Sequence, residues 1–158
     1  MSGRVTHAAS EGVHVLRYFG RVDYVLAPAI KRFADDLVSH GDVRGWIFDL
    51  TQAELLDSTN LGLLARLGGA GRNVIVSTSD DINSVLRSMS FHEMFDIVTD
   101  PPADEPALAE AINGTPTSPR DLGQTMLDAH RALLGMNERT RLQFEDVVTA
   151  LEADLGSS

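Results

Sequence analysis

The residues with the most chemical potential in this chain lie between Phe48 and Gly62. Phe48-Asp49-Leu50 closes an apolar run, and Leu55-Leu56-Asp57-Ser58-Thr59-Asn60-Leu61-Gly62 follows after a short gap. That order reads as a buried strand, a turn, and a helix opened by Asp-Ser-Thr, with Asp57 or Ser58 as its cap. A hydroxyl at a helix start meets unpaired backbone N–H groups and the positive end of the helix dipole, so a phosphate placed there can be accommodated. The same phosphate adds about −1.5 to −2 charge beside Asp57. A partner covering this helix would have to desolvate the new dianion or supply cations for it. Every mismatch of about 1.4 kcal/mol weakens binding about tenfold, so one phosphate on Ser58 works as an off switch.

Other chemistries fit less well. A serine hydrolase needs a base and, usually, a strained elbow with flanking glycines, whereas Leu56 and Asn60 stand two residues either side of Ser58. Asp57 reads as a capping residue and not as a catalyst. His7, His14, His40, His92 and His130 have no ligand-type spacing, and the absence of cysteine excludes thiolate metal sites, disulfides and thiol nucleophiles. The Gly68-Gly69-Ala70-Gly71 run lacks the Lys-Ser/Thr of a phosphate loop and precedes a strand instead of following one. Asp80-Asp81, Asp100 and Asp104-Glu105 read as helix starts and solvated surface. A net charge of −10 opposes binding to nucleic acid or to an anionic membrane surface. The N-terminus carries no apolar core of signal-peptide length and no run is long enough to span a bilayer, so a cytoplasmic protein that is not an enzyme is the expectation.

The elements that must position Ser58 alternate between strand and helix. Val13, Val15 and Leu16 to Phe19 form a strand ending at Gly20, with Arg4 to Ala8 as an edge strand beside it. Leu26, Ile30, Phe33 and Leu37 share one helical face, and Pro28 is tolerated in the first turn. Trp46 to Leu50 is apolar throughout and suits a central strand buried on both faces. In the helix after Ser58, Leu61, Leu64 and Ala65 face the sheet. Leu63 and Leu67, one i,i+4 step apart, either widen that face or, as a pair beside Ser58, form a partner surface. Val74 to Val76 is a further strand, and Ser79 caps a helix that buries Ile82, Val85, Leu86 and Met89. Phe95 to Val98 is a last short strand, and Pro106 opens a helix through Leu108, Ala111 and Ile112 that Asn113-Gly114 closes.

With 158 residues, one domain and a short appendage are expected: residues 1–114 as the α/β domain, 115–120 as a linker and 121–155 as a helical extension. Thr115-Pro116-Thr117-Ser118-Pro119 interrupts any helix, yet Ser118-Pro119 suits the cap and first position of a new one. Leu122, Met126, Ala129, Leu133 and Met136 form a helical seam that Phe144, Val148, Leu151 and Leu155 resume out of phase, with Gly135 and Asn137 at the break. Two readings stand open. The tail folds back on the sheet, or its seam pairs with a second copy, giving a homodimer through the C-terminal helices, or with a partner's helix.

Asp57-Ser58-Thr59-Asn60-Leu61-Gly62 resembles the Asp-Ser-Ser/Thr-Gly-Leu-Gly motif of STAS domains, in particular the bacterial anti-sigma-factor antagonists. Gly20-Arg21-Val22-Asp23 is similar to the Gly-x-Leu/Val-Asp signature of that family, and Phe91 to Ile97 to its segment before the last strand. Asn60 departs from the pattern, which has Gly there. The resemblance covers about Val13 to Ile112 and implies a four- or five-stranded mixed sheet with helices mainly on one face. It implies that Ser58 is phosphorylated, that Asp23 lies near it, and that Asp23, Asp57, Ser58, Thr59, Asn60, Leu61 and Gly62, with Leu63 and Leu67, meet a partner. That partner would be an anti-sigma factor, often also an ATP-dependent serine kinase. Binding would release a sigma factor, phosphate on Ser58 would end the complex, and a PP2C-type phosphatase would restore it. ATP and metal would belong to those partners, leaving this chain without a cofactor. The competing reading within the family is an unphosphorylated subunit of a lipid-transport ABC complex or of a signalling scaffold, with Ser58 only a capping and contact residue.

Overall fold

In the computed structural model, which describes residues 3–69, 71–103, 105–106, 109–114 and 116–156, the apolar runs around Phe48 and Ile75 form the middle of a six-stranded mixed sheet. The strands are β1 (Arg4–Ser10), β2 (Val13–Val22), β3 (Gly45–Leu56), β4 (Arg72–Val76), β5 (Asp96–Val98) and β6 (Glu110–Ala111), in the order β5-β4-β3-β2-β1-β6. β2, β3, β4 and β5 run parallel, so each junction needs a crossover. Helices α1 (Ala27–Ser39), α2 (Ser58–Leu67) and α3 (Asp80–Ser88) supply them. They share the main core with Leu16, Tyr18, Phe48, Leu50 and Ile75. The opposite face of the sheet carries a smaller cluster of Ala8, Val15, Ile47, Val74 and Val76. Trp46 and Phe48 stack on the helix side while Ile47 points away, the period-two alternation of a central strand.

Several elements differ from expectation. β2 does not stop at Gly20: that residue adopts φ +71, which glycine takes without strain, and the ladder with β3 shifts register there and continues to Val22–Leu56. β3 consequently runs through the stretch expected as a loop. The helix expected from Pro106 is absent among the described residues. Glu110 and Ala111 instead pair antiparallel with His7 and Thr6, and Ile112 N–H donates to the Val5 carbonyl. The open edge of β1 offers unpaired backbone groups, whereas so short a helix would not recover its nucleation cost. Leu108 lies outside the described residues, as do Ala70, Asp104 and Thr115. Val85, expected in the core, is 41% exposed.

The C-terminal segment forms α4 (Pro119–Leu134) and α5 (Glu138–Gly156), an antiparallel hairpin. Ser118 caps α4 with Pro119 in its first turn, inside the segment expected as linker. The chain breaks at Gly135 because Asn137 and Thr140 cap each other: Thr140 N–H donates to Asn137 Oδ1 at 2.8 Å and Asn137 N–H to Thr140 Oγ1 at 3.0 Å. Asn137 Nδ2 also donates to Ser90 Oγ, tying this turn to the segment after α3. The hairpin does fold back, but onto α2 and α1 and not onto the sheet. Its seam is thus occupied within the chain.

On the second face of the sheet, Arg17 Nε lies 3.4 Å from Glu105 Oε1 and 4.0 Å from Asp49 Oδ2. Burial, reinforced by the neighbouring Asp49 charge, pushes the Glu105 carboxyl up to about 7, and Arg17 offsets this only in part. Unfolded, the carboxyl titrates near 4.5. Between those values the folded protein holds a proton that the unfolded chain has released, so this group's stabilisation is complete below about 4.5 and is lost as pH rises through about 7. Glu105→Gln is therefore expected to raise the thermal midpoint at mildly alkaline pH and to flatten its decline above mildly acidic pH. Paired melting curves across that range check the sign.

Candidate functional site

The site sits at the end of the sheet where β2 and β3 deliver their C-terminal residues. β3 hands the chain to Asp57, whose extended backbone places it at the N-cap of α2, and its Oδ1 accepts the Asn60 N–H at 2.9 Å. Asp57, not Ser58, is the cap. This leaves the Ser58 hydroxyl free at the first helical position, where it is half-buried and lies 2.9 Å from Nε2 of His130 on α4.

The protonation pattern of that contact follows from its other end. His130 Nδ1 lies 2.7 Å from the Met126 carbonyl, which can only accept, so Nδ1 carries the proton. In the neutral ring Nε2 is then an acceptor, and the Ser58 O–H donates to it. His130 is 3% exposed, and Phe144 of α5 meets its ring edge-on at 5.5 Å. The hydroxyl proton expected to be free for exchange with a phosphoryl group is engaged by a buried imidazole. Sequence reasoning missed this pair: 72 residues separate its members, and His130 had no spacing to mark it.

Asn60, the departure from the family motif, has an ordinary helical backbone, so its tolerance of unusual angles is not used. What is used is its carboxamide. Fully buried, it donates from Nδ2 to the Val22 carbonyl at 3.2 Å, the Asp23 carbonyl at 2.9 Å and Asp57 Oδ1 at 2.9 Å. It therefore stitches the Gly20-to-Asp23 signature to the start of α2. Asp23 itself is exposed, its Oδ1 accepting from Val25 N–H. The amide ties the Asp23 carbonyl to the helix that Ser58 begins, while the Ser58 side chain itself turns to α4.

The rest of the expected partner surface is differently placed. Thr59, Asn60, Leu61, Gly62 and Leu63 are buried, and Leu67 is half-buried against the core. Leu63 is 1% exposed, so Leu63 and Leu67 widen the core face and present no surface stripe here. The reason is geometric: Asn60 points to the sheet end, and Leu63 and Leu67 follow it round that side of the helix, whereas Ser58 and Gly62 point to α4. The Gly62 Cα lies so close to the Ala129 carbonyl that no side chain would fit. Exposed apolar groups near Ser58 come instead from the strand ends: Tyr24 at 45%, Val25 at 68% and Leu55 at 49%. A cleft of about 160 Å³ beside Leu55 is lined by Leu55, Leu56, Leu61, Ile82 and Val85 together with the carboxylate residues Glu54 and Asp81. Among the described residues no group of three or more His, Asp or Glu could hold a metal ion, and no helix is long and apolar enough to cross a membrane.

No family model matches the chain, and neither does any curated protein. Solved structures do. The anti-sigma factor antagonist SpoIIAA in its unphosphorylated form is 19% identical over 62% of this chain and 89% of its own, with a TM-score of 0.52. An anti-sigma factor antagonist from Mycobacterium paratuberculosis is 20% identical over 62% of this chain and 86% of its own, at 0.53. The Bacillus cell fate determinant SpoIIAA in its phosphorylated form is 19% identical over 61% of this chain and 92% of its own, at 0.52. The chain thus has the STAS-type fold of anti-sigma factor antagonists. Those neighbours match over nearly their full lengths yet leave more than a third of this chain unaccounted for.

Removing the Asn60 amide takes its donor from the Val22 and Asp23 carbonyls, while Asp57 Oδ1 keeps the Asn60 backbone N–H. Asn60→Ala is expected to cost about 2 kcal/mol of stability, within the usual range for orphaning buried polar groups. The urea midpoint, at unchanged slope, is the measurement; a shift below about 0.5 kcal/mol would mean the stitch carries little.

Proposed function

We propose that this chain is an anti-sigma factor antagonist that works by partner switching, with Ser58 as the residue whose phosphorylation ends the complex. The observation that carries the reading is the position of the Ser58 hydroxyl at the first turn of α2, beside the Asp23 loop, on a fold shared with a protein solved in both unphosphorylated and phosphorylated forms. The unphosphorylated chain docks on an anti-sigma factor that is also a serine kinase. A PP2C-type phosphatase returns the modified form to the binding state.

The docking surface differs from the one read off the motif. Leu63 and Leu67 serve the core, so the partner meets the rim of exposed residues around Ser58: Asp23, Tyr24, Val25 and Leu55, with Asp57 and Ser58 at the helix mouth. An apolar rim with one hydroxyl at its edge suits a phosphate switch, because the dianion must be desolvated for the apolar groups to be covered. The chain's own net charge of −10 adds to the local repulsion at low salt.

The test uses an anti-sigma factor of the serine-kinase class from the same organism. Incubation with ATP should place one phosphate on the wild type and none on Ser58→Ala. The phosphorylated form should bind that kinase at least about tenfold more weakly than the unmodified form in calorimetry, as a loss of about 1.4 kcal/mol would give. Equal affinity of the two forms, or phosphate-indifferent association with a transporter ATPase, would sink the reading.

A further inference from the structure

The hairpin α4–α5 packs on the Gly62 face of α2, adds Ala129, Leu133 and Phe144 to the edge of the main core, and meets Ser58 directly. Gly62 lets α4 approach to backbone contact at Ala129, and one turn earlier the same face of α2 places Ser58 Oγ on His130. The buried side of α4 is mixed, with Thr125 and His130 interleaved with Leu127, Ala129 and Leu133. α5 contributes little more: Thr140, Phe144 and Val148 are the buried residues among its 19. The neighbours that share the fold match 62% and 61% of this chain. We propose that the α4–α5 hairpin is a detachable cover over the Ser58 face of α2, latched by the Ser58–His130 hydrogen bond and released when Ser58 carries a phosphate. The inference rests on the reading that Ser58 is the modified residue.

The incompatibility is chemical before it is steric. Phosphorylation replaces the hydroxyl hydrogen, the only proton in the contact, with phosphorus, so the latch loses its donor. The lone pair of His130 Nε2 then faces phosphate oxygens. The ring cannot turn away, because Nδ1 is held by Met126 in its own helix turn and the side chain is buried. With the ring neutral, a buried acceptor without a donor carries its full desolvation penalty until α4 lifts. Asp57 precedes Ser58, and the cation of α1 that reaches α4, Lys31, is shared between Asp128 at 3.6 Å and Asp35 at 3.2 Å. Arg131, the next cation along α4, pairs with Glu152 at 2.9 Å. By linkage the effect is reciprocal, so a seated hairpin also makes Ser58 harder to phosphorylate.

The experiment follows backbone hydrogen exchange by mass spectrometry in full-length protein with no partner present. Three forms are compared: unmodified, with phosphoserine incorporated at position 58, and Gly62→Ala, whose added methyl would run into the Ala129 carbonyl while favouring the helical state of α2. Amides of residues 119–156 should exchange about tenfold faster in the second and third forms, while β3 and β4 keep their protection. Two results would overturn the proposal. One is a hairpin whose exchange in the phosphoserine protein is unchanged or slowed, as expected if a cationic His130 clamped the phosphate. The other is loosening of sheet and hairpin together, which would make the hairpin part of one cooperative core. If Gly62→Ala does not fold, the phosphoserine form decides alone. Loss of kinase binding on phosphorylation without hairpin release would leave the partner-switching reading standing and the cover refuted. Hairpin release without loss of kinase binding would do the reverse.

Discussion

The parallel pairing of β2 with β3 is the constraint from which the rest of the structure follows. β3 is buried on both faces from Trp46 to Leu50, so it can lie only in the interior of the sheet, and its register against β2 is held by side chains on each side. The ladder absorbs two register shifts and then continues, so that both strands end together at Val22 and Leu56. Asp23 and Asp57, separated by 34 positions in the chain, therefore emerge side by side. Without the positive φ of Gly20 the two loops would part company a turn earlier.

On that platform α2 is crowded on nearly every side. Asn60 anchors its start to the β2 loop, Leu63 and Leu64 fill the core, Arg66 pairs with Asp35 of α1 at 2.6 Å, and Gly62 admits α4. The helix thus has little exposed surface of its own, and Ser58 lies in its first turn. Such a position has a physical advantage for the proposed switch. The N-terminal turn of a helix offers unpaired N–H groups to a phosphate, and the chain's own hairpin reaches Ser58 there. A single added charge there acts on whatever is docked, without any need to disturb the buried helix behind it.

The same arrangement gives His130 its significance. An imidazole held by a carbonyl in its own helix presents a fixed acceptor, and a serine hydroxyl is one of the few groups that satisfies it while remaining chemically modifiable. The contact joins the Ser58 motif to the C-terminal hairpin. Under the proposed switching, modification of Ser58 and seating of the extension share one hydrogen bond.

The strand and helix order as far as β5, the central place of Trp46 to Leu50, the caps at Ser79 and Ser118 and the break near Gly135 were legible in the sequence, because each depends on side-chain periodicity or on a hydrogen bond spanning three or four residues, whereas the cap of α2 was left open between Asp57 and Ser58. The Ser58 motif was legible for the same reason. What the linear pattern did not carry was any choice settled by distant groups: whether β2 ran on past Gly20, whether residues 110–111 joined an edge strand, and which way Leu63 faced. The role of Asn60 belongs here too, since its donors are spent on carbonyls 37 and 38 positions away. Above all, the partner of Ser58 was decided only by tertiary packing. Composition and spacing state that α4 has an apolar seam, but which surface that seam covers depends on where a glycine in another helix leaves room for it.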